Sequence, residues 1–268
     1  MPDTLPAELA RALHAPDRLA PFGNPVHYFG ETGSTNDVAA SLAEAGAPEG
    51  TTVIASAQTA GRGRLGREWH SPPEAGLYVS VVCRNLTAAP YLTLAGGVAV
   101  ADGIRVSTGL PVEIKWPNDV VVPDNRGSSR RRKLAGVLAE ASSDARGLQY
   151  VVLGFGVNLR PSAYPAAIAS RASSLETELG RPVDGALLLA GILETLAKHC
   201  RALAAGAPRE LLARWRELAP TALGASVVCE TAGGRERGVT AGIGDDGALL
   251  VRIGERTERV IAGEVVWN

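Results

Sequence analysis

The order of apolar and polar residues along the chain predicts alternating strands and helices. Short apolar runs bounded by turn residues are typical of strands, and longer runs with helical spacing are typical of helices. Short turns between successive strands favour an antiparallel meander with helices on one face. Before Pro220, the predicted strands are residues 26–29, 52–56, 77–83, 112–115, 120–122, 134–141 and 149–159. The predicted helices are residues 6–14, 91–108, 175–179, 184–205 and 208–218, together with one that starts within residues 34–37.

After Pro220 the pattern changes to brief strands separated by Gly and Asp turns, at residues 226–230, 238–243, 248–253 and 259–266. Such a segment is typical of a small β-barrel. The sequence therefore predicts an α+β protein: a short N-terminal extension (1–24), a domain with a mixed, largely antiparallel sheet (25–220) and a small C-terminal barrel (221–268).

Composition narrows the function classes. The 268 residues include 27 Lys+Arg and 28 Asp+Glu, so a broad cationic face for nucleic acid is not expected. The segment before residue 25 is too short for a three-helix DNA reader, so we expect no N-terminal DNA-binding domain. A membrane-length apolar run and a signal peptide are both missing from the sequence, which predicts a cytoplasmic protein without a membrane partner.

Cysteine and histidine give no metal or disulfide pattern. Cys83, Cys200 and Cys229 are far apart, and the four histidines are scattered. We expect reduced, mostly buried thiols, and the spacing assigns no metal ligand.

The segment from Gly61 to Trp69 alternates glycines with arginines, which suits a bound phosphate or carboxylate. Its G-x-G-x-x-G also fits the dinucleotide fingerprint, but Pro72-Pro73 prevents the helix that this fingerprint must open. A Walker A loop would need Lys and Ser/Thr after Gly66. A loop that grips nucleic-acid phosphates and a solvated surface loop remain as alternatives.

Two other segments have both an ordinary and a functional interpretation. Ser34-Thr35-Asn36 precedes a predicted helix, so these residues either cap the helix or bind a ligand at its N-terminus. Lys115 lies at the end of a strand, because Pro117 cannot extend the hydrogen-bond ladder and Asn118-Asp119 favours a turn. A lysine in that position is commonly solvated.

Together these segments closely resemble the biotin protein ligases over roughly residues 26 to 268. The resemblance implies a class II synthetase-like catalytic domain with an SH3-like C-terminal barrel. It also implies that ATP, with Mg²⁺, activates biotin as biotinyl-5′-adenylate, which then modifies a lysine of a carrier protein. The matching segments are Ser34-Thr35-Asn36, Gln58, Gly61-Arg62-Gly63-Arg64-x-Gly66-Arg67-x-Trp69-x-Ser71-Pro72, Lys115-Trp116-Pro117-Asn118-Asp119, Lys133 to Leu138, Gly154-x-Gly156-x-Asn158 and Ser173-Ser174-Leu175.

The resemblance also implies roles for individual residues. Lys115 and Arg64 are expected to be catalytic. The implied biotin contacts are Ser34, Thr35, Asn36, Gln58, Arg62, Gly63, Arg64 and Lys115, and the implied ATP or adenylate contacts are Arg67, Trp69, Lys133 and Asn158. The implied partner is a biotin carboxyl carrier protein or an acyl-CoA carboxylase carrier domain, and the protein is expected to be a monomer or weak homodimer.

Two features depart from the family pattern. Glu74 stands where a glycine is common. Residues 123–132, with Arg130-Arg131-Arg132, form an insertion expected as a solvated loop that could also attract acidic carrier domains. The alternative functions are a lipoate or octanoate ligase of the same superfamily and a biotin-binding regulator.

Overall fold

The computed structural model describes residues 1–123, 131–231, 234–261 and 265–267. Its helices are α1 (Ala7–Ala12), α2 (Pro16–Leu19), α3 (Thr35–Glu44), α4 (Leu92–Thr108), α5 (Ala166–Ala169), α6 (Leu175–Leu179), α7 (Gly185–Ala204) and α8 (Arg209–Leu218). Its strands are β1 (Val26–Thr32), β2 (Thr52–Gln58), β3 (Gly76–Cys83), β4 (Glu113–Lys115), β5 (Asp119–Pro123), β6 (Arg131–Asp144), β7 (Gly147–Asn158), β8 (Leu223–Thr231), β9 (Gly234–Ile243), β10 (Leu249–Ile253), β11 (Arg256–Val260) and β12 (Val265–Trp267).

Seven strands form the main sheet, in the order β1-β2-β3-β7-β6-β5-β4. The last four strands of this sheet in sequence, β4 to β7, form the predicted antiparallel meander, because each pairs antiparallel with the next. The first two strands are parallel and are joined through α3, since a parallel pair needs a crossover connection. The sheet is therefore mixed and largely antiparallel, which confirms the predicted fold class.

Helices cover both faces of this sheet. The apolar helices α4 and α7 pack together over the face that carries Ile54 and Leu153. Helix α3 lies on the opposite face, against Val53, Val82 and Val152. Alternation explains both layers, because neighbouring residues of a strand point to opposite faces and the central strands are apolar at successive positions. The expectation of helices on one face therefore holds for α4 and α7 but not for α3.

The C-terminal strands form a five-stranded antiparallel sheet in the order β11-β10-β9-β8-β12. The prediction of a single strand over residues 259–266 is wrong. Its first part belongs to β11, which pairs with β10, and its second part belongs to β12, which pairs with β8 at the other edge. Pairing partners determine where one strand ends, and the local apolar pattern does not report them.

The second sheet contacts the main domain beside β4. The Tyr91 hydroxyl donates to the Asp245 carbonyl at 3.0 Å, and Trp116 Nε1 donates to the Gly247 carbonyl at 3.2 Å. A Cβ atom at Gly247 would fall 2.7 Å from Leu94 Cδ1, so the backbone of this turn lies close against α4. The division into domains at residue 220 stays a prediction.

The arginine-rich insertion differs from its prediction as a solvated loop. Arg131 and Arg132 begin β6, and their side chains pair with Glu113 and Glu178, each at 2.8 Å. These acidic partners come from β4 and α6, which are distant in sequence, so the basic run alone could not indicate them. Residues 124–130, including Arg130, lie outside the described residues.

The three cysteines are buried, as predicted. Within the described ranges, no helix is long and apolar enough to cross a membrane.

Candidate active site

One cavity of about 670 Å³ is lined by all the residues for which the family resemblance implied ligand binding. Further lining comes from Asp119, from Tyr164 and Arg171 of the segment after β7, and from residues 265–267 of the second sheet. The predicted residues that line the cavity are Ser34, Thr35, Asn36, Gln58, Arg62, Gly63, Arg64, Arg67, Trp69, Lys115, Lys133 and Asn158.

The Gly61–Trp69 segment is a narrow hairpin that projects beyond β2. Trp69 N donates to the Gly61 carbonyl at 2.9 Å, and Gly63 N donates to the Arg67 carbonyl at 2.7 Å. The tip is a single 3₁₀ turn in which Leu65 has a φ of 57° and is 64% exposed. A helix does not follow the glycines here, so the segment is not a dinucleotide-binding turn.

The start of α3 supplies a buried polar group to the cavity. Ser34 occupies the N-cap position, but its side chain accepts no capping hydrogen bond. Thr35 instead donates twice to Gln58 Oε1, from its backbone N at 2.8 Å and from Oγ1 at 3.1 Å. Gln58 Nε2 donates to Ser71 Oγ at 2.9 Å. Ser34 is therefore the N-cap residue by position but not through its side chain. The Thr35 side chain binds Gln58 of β2, and Asn36 binds Ser80 of β3 and Glu140 of β6.

Asn36 is fixed from both sides of its amide. Its Nδ2 donates to Glu140 Oε2 at 2.6 Å, and its Oδ1 accepts from the buried Ser80 hydroxyl at 2.5 Å. A Cβ atom at Gly154 would fall 2.1 Å from Asn36 Oδ1, so only glycine leaves room for this amide. Because every polar atom of this amide has a partner, its position is set before any ligand binds.

The Trp69 indole lies over a second pair of glycines. Gly136 and Gly156 are opposite each other on β6 and β7, and a Cβ atom at either would fall within 3.1 Å of the indole. Lys133 Nζ lies 5.1 Å from the ring centroid. Trp69 Nε1 is buried and has no hydrogen-bond partner among the described residues. The glycines thus seat an aromatic ring in the wall of the cavity.

Cations outnumber anions at the other end of the cavity. Lys133 Nζ pairs with Asp119 Oδ1 at 2.6 Å, and Asp119 lies opposite Lys115 across the β4–β5 turn. Burial, chiefly, lowers the pKa of Lys115; nearby Lys133, Arg131 and Arg171 lower it further and Asp119 opposes them. Such a region favours an anionic ligand, which would relieve the repulsion between these cations.

Arg64 and Arg62 have different surroundings. Burial lowers the pKa of Arg64, partly offset by the nearby Asp119 carboxylate. Arg62 lies at the rim, where its guanidinium pairs with Asp37 Oδ1 at 2.8 Å and Glu140 Oε2 at 2.7 Å. The hairpin thus brings Arg64 into the cavity, while salt bridges hold Arg62 at its edge.

The segment after β7 closes another wall. Asn158 Nδ2 donates to the Ser173 carbonyl at 2.9 Å, and Lys133 N donates to the Arg171 carbonyl at 2.7 Å. These bonds tie residues 171–173 to β6 and β7, so the Asn158 side chain and the Lys133 backbone are held beside the cavity.

Sequence reasoning missed Ser80 and Glu140, which hold Asn36, and Trp267, which lines the cavity from the second sheet. The sequence did contain one signal that another group packs closely against the sheet. Gly154 and Gly156 are alternate residues of an otherwise apolar strand, a pattern that indicates close approach of another group on one face.

A protein metal site is not evident in the described parts of the chain, where no group of three or more His, Cys, Asp or Glu side chains could hold an ion. The carboxylates that line the cavity belong to Glu68 and Asp119, and Asp119 already pairs with Lys133. These residues do not fit a protein-held Mg²⁺, so we assign no protein ligand to it.

Comparisons with known proteins show the family of this chain. The model of the biotin/lipoate A/B protein ligase family matches residues 29–158. The chain is 32% identical to the bifunctional ligase/repressor BirA of Bacillus subtilis (strain 168), over 91% of this chain and 74% of that protein. It is 34% identical to the biotin–[acetyl-CoA-carboxylase] ligase of Mycobacterium tuberculosis (strain ATCC 25618 / H37Rv), over 88% of this chain and 86% of that protein.

A solved structure of the biotin protein ligase from Aquifex aeolicus, in complex with biotin and ATP, superposes with a TM-score of 0.76. It is 26% identical, and the match covers 91% of this chain and 99% of that one. This chain therefore belongs to the biotin/lipoate A/B protein ligase family and, within it, to the biotin protein ligases.

Proposed function

We propose that this protein activates biotin with ATP as biotinyl-5′-adenylate and transfers the biotinyl group to a lysine of a biotin carboxyl carrier domain. The observation that supports this most directly is the division of one cavity into a buried, hydrogen-bonded polar end and a cation-rich end. A substrate with a polar ring and a carboxylate tail, joined to a triphosphate, matches both ends.

The polar end suits the ureido ring of biotin. Thr35, Asn36 and Gln58 are held by the hydrogen bonds described above, so their polar atoms are placed without a further ordering cost. A ureido group presents N–H donors and a carbonyl acceptor and can pair with such a wall. The dithiolane ring of lipoate has neither, so the polar groups it buried would lose water without a replacement.

The cation-rich end suits the first chemical step. A carboxylate oxygen of biotin attacks the α-phosphorus of ATP, the bond from that phosphorus to the bridging oxygen breaks, and pyrophosphate leaves. In this proposal Lys115 and Arg64, which both line the cavity, stabilise the negative charge of the α-phosphoryl oxygens during the displacement. Mg²⁺ bound to ATP would neutralise part of the phosphate charge.

The nucleotide would lie along the wall made by β6 and β7. The Trp69 indole, which lines the cavity, offers a face to adenine. Arg67, Lys133 and Asn158 surround the same wall. The pairing of Lys133 with Asp119 limits its motion, which favours a defined contact to the nucleotide.

The second step forms an amide. The carrier lysine must first lose its ammonium proton, and its amine then attacks the acyl carbon of the adenylate. The new C–N bond replaces the acyl C–O bond, and AMP leaves with that oxygen. The hairpin that carries Arg62 and Arg64 covers the cavity and excludes water, which would otherwise hydrolyse the mixed anhydride.

The test is biotin-dependent exchange of labelled pyrophosphate into ATP, with lipoate and octanoate as parallel substrates. Exchange with biotin alone is expected. Exchange with lipoate or octanoate instead would assign the protein to the other branch of the family. Exchange with none of the three acids would contradict adenylation and leave the regulator interpretation.

Transfer is measured separately, with purified biotin carboxyl carrier domain and labelled biotin. The matched control is the same carrier domain with its acceptor lysine replaced by arginine. Label on the control domain would mean that released adenylate reacts with lysines nonspecifically, and would argue against recognition of a carrier domain.

A further inference from the structure

A tryptophan of the second sheet lies against the lysine proposed to be catalytic. Lys115 Nζ is 5.8 Å from the ring centroid of Trp267, within the range of a cation–π interaction. Lys115 ends β4, which is an edge strand of the main sheet, and Trp267 belongs to β12, an edge strand of the second sheet. The contact therefore joins the two sheets at the cavity itself.

Trp116, the residue after Lys115, makes a second contact between the two sheets. It is only 4% exposed and donates from Nε1 to the Gly247 carbonyl of the second sheet. The Gly247 backbone lies so close to Leu94 that a Cβ atom would clash. The second sheet thus holds Trp116 through its β9–β10 turn while β12 reaches Lys115.

Lys115 needs such a restraint. Its ammonium is a point charge on a flexible four-carbon stem. Asp119 of β5 attracts it, while Lys133 and Arg131 of β6 and Arg171 of the segment after β7 repel it. An aromatic face stabilises the charged ammonium without neutralising it, so the charge stays available to a phosphate.

We propose that Trp267 is a positioning residue, which holds the Lys115 ammonium for adenylate formation, so that the second sheet completes the active site. The contact itself stands on the geometry, and its catalytic consequence rests on the proposed function. Two experiments separate these parts.

The first experiment observes Lys115 directly by NMR in protein labelled at lysine Cε and Nζ. The chain contains only three lysines, Lys115, Lys133 and Lys198, so Lys133→Arg and Lys198→Arg assign all three signals. In the unliganded wild type, the ε-methylene protons of Lys115 should lie upfield of those of exposed Lys198, because the indole ring current acts on them.

In Trp267→Leu the Lys115 signal should move toward that of Lys198, while the Lys133 signal, set by Trp69, stays in place. The pKa of Lys115 should fall further below its ordinary value, because the aromatic stabilisation of the charged form is lost and burial is largely kept. An unchanged Lys115 shift and pKa in this variant would overturn the contact.

The second experiment compares single-turnover formation of biotinyl-adenylate. Trp267→Leu should slow this step about tenfold with little change in biotin affinity, since a displaced ammonium affects the transition state more than the bound acid. Trp267→Phe keeps an aromatic face and should recover most of the rate. Val251→Ala serves as the control for destabilisation, because Val251 is buried in the second sheet and does not line the cavity.

A double variant decides whether Trp267 acts through Lys115. In a Lys115→Ala background, Trp267→Leu should cause no further loss, because the two residues act as a unit. An equal tenfold loss in both backgrounds would mean that Trp267 acts elsewhere and would overturn the proposal. Failure of the wild type to form any adenylate would contradict the proposed function, while the NMR result would still test the contact.

Discussion

The indole of Trp69 lies so close to the backbone of Gly156 that a Cβ atom there would fall 2.4 Å from Nε1. The absence of a side chain at this position of β7 therefore creates the seat for the aromatic ring. Gly136, the cross-strand neighbour of Gly156, extends the same seat. The aromatic wall of the cavity thus depends on two residues that contribute no side chain.

Gly156→Ala is expected to raise KM for ATP at least about tenfold, because the methyl group displaces the proposed adenine platform. The KM for biotin should change much less. Steady-state pyrophosphate exchange measures both constants. The matched control is Gly97→Ala in α4, where the added Cβ would lie 3.7 Å from Ile114, an ordinary contact. Equal effects of the two substitutions would argue against the seat.

Lys115→Ala should reduce adenylate formation by about a hundredfold or more while the melting temperature stays within a few degrees. A partly buried charge among other cations contributes little to stability, whereas a charge beside the proposed position of the α-phosphate contributes to the transition state. Lys198→Ala, at an exposed position of α7, is the control. Normal adenylation by Lys115→Ala would remove this lysine from the mechanism.

Arg64→Ala should release biotinyl-adenylate into solvent faster than the wild type. The guanidinium reaches the cavity from the hairpin, so its loss removes a charge that holds the intermediate and opens a path for water. Rapid filtration after a single turnover measures the retained fraction. Arg146→Ala, at an exposed turn, should behave as the wild type. Unchanged retention in Arg64→Ala would mean that the hairpin does not close over the intermediate.

Glu74→Gly should stabilise the fold by roughly 0.5 to 1 kcal/mol. Glu74 has a φ of 57°, a left-handed conformation that costs a side-chain-bearing residue energy and that glycine adopts freely. Its ion pair with Arg160, at 3.6 Å, is exposed and contributes little. Chemical denaturation measures the change. Glu74→Ala separates the two effects, since it removes the carboxylate but keeps the strained backbone and should not stabilise.

His199 should make stability depend on pH. Burial, chiefly, lowers the pKa of His199 below its ordinary value of about 6.5, and Lys198 and Arg214 act in the same direction against Asp102 and Glu210. The unfolded chain therefore binds the proton more readily than the folded protein, so stability is lost as pH falls below about 6.5.

Melting temperatures of the wild type and of His199→Gln between pH 5 and 8 test this expectation. The variant should show a flatter dependence below pH 6.5, because it lacks the titrating group. Parallel curves for the two proteins would assign the acid sensitivity to other residues.

Particular residues show which features could be predicted from the sequence. The end of α4 at Gly109 was predicted correctly, because a glycine in the left-handed conformation ends this helix. The arrangement around Asn36 was not, since Ser80 and Glu140 lie 44 and 104 positions away and only sheet pairing brings them together. Arg131 and Arg132 looked like part of a solvated run for the same reason, because their acidic partners belong to other elements.

The sequence by itself determined the family, the order of most elements and the residues that line the cavity, because these depend on local residue types and their spacing. The tertiary structure decided which of those residues touch each other. It placed Ser34-Thr35-Asn36, at the start of α3, in one wall of a cavity, and it brought Trp267 of the second sheet to Lys115 of the first. Contacts between distant residues follow from strand order, register and packing of the whole chain, which no local pattern specifies.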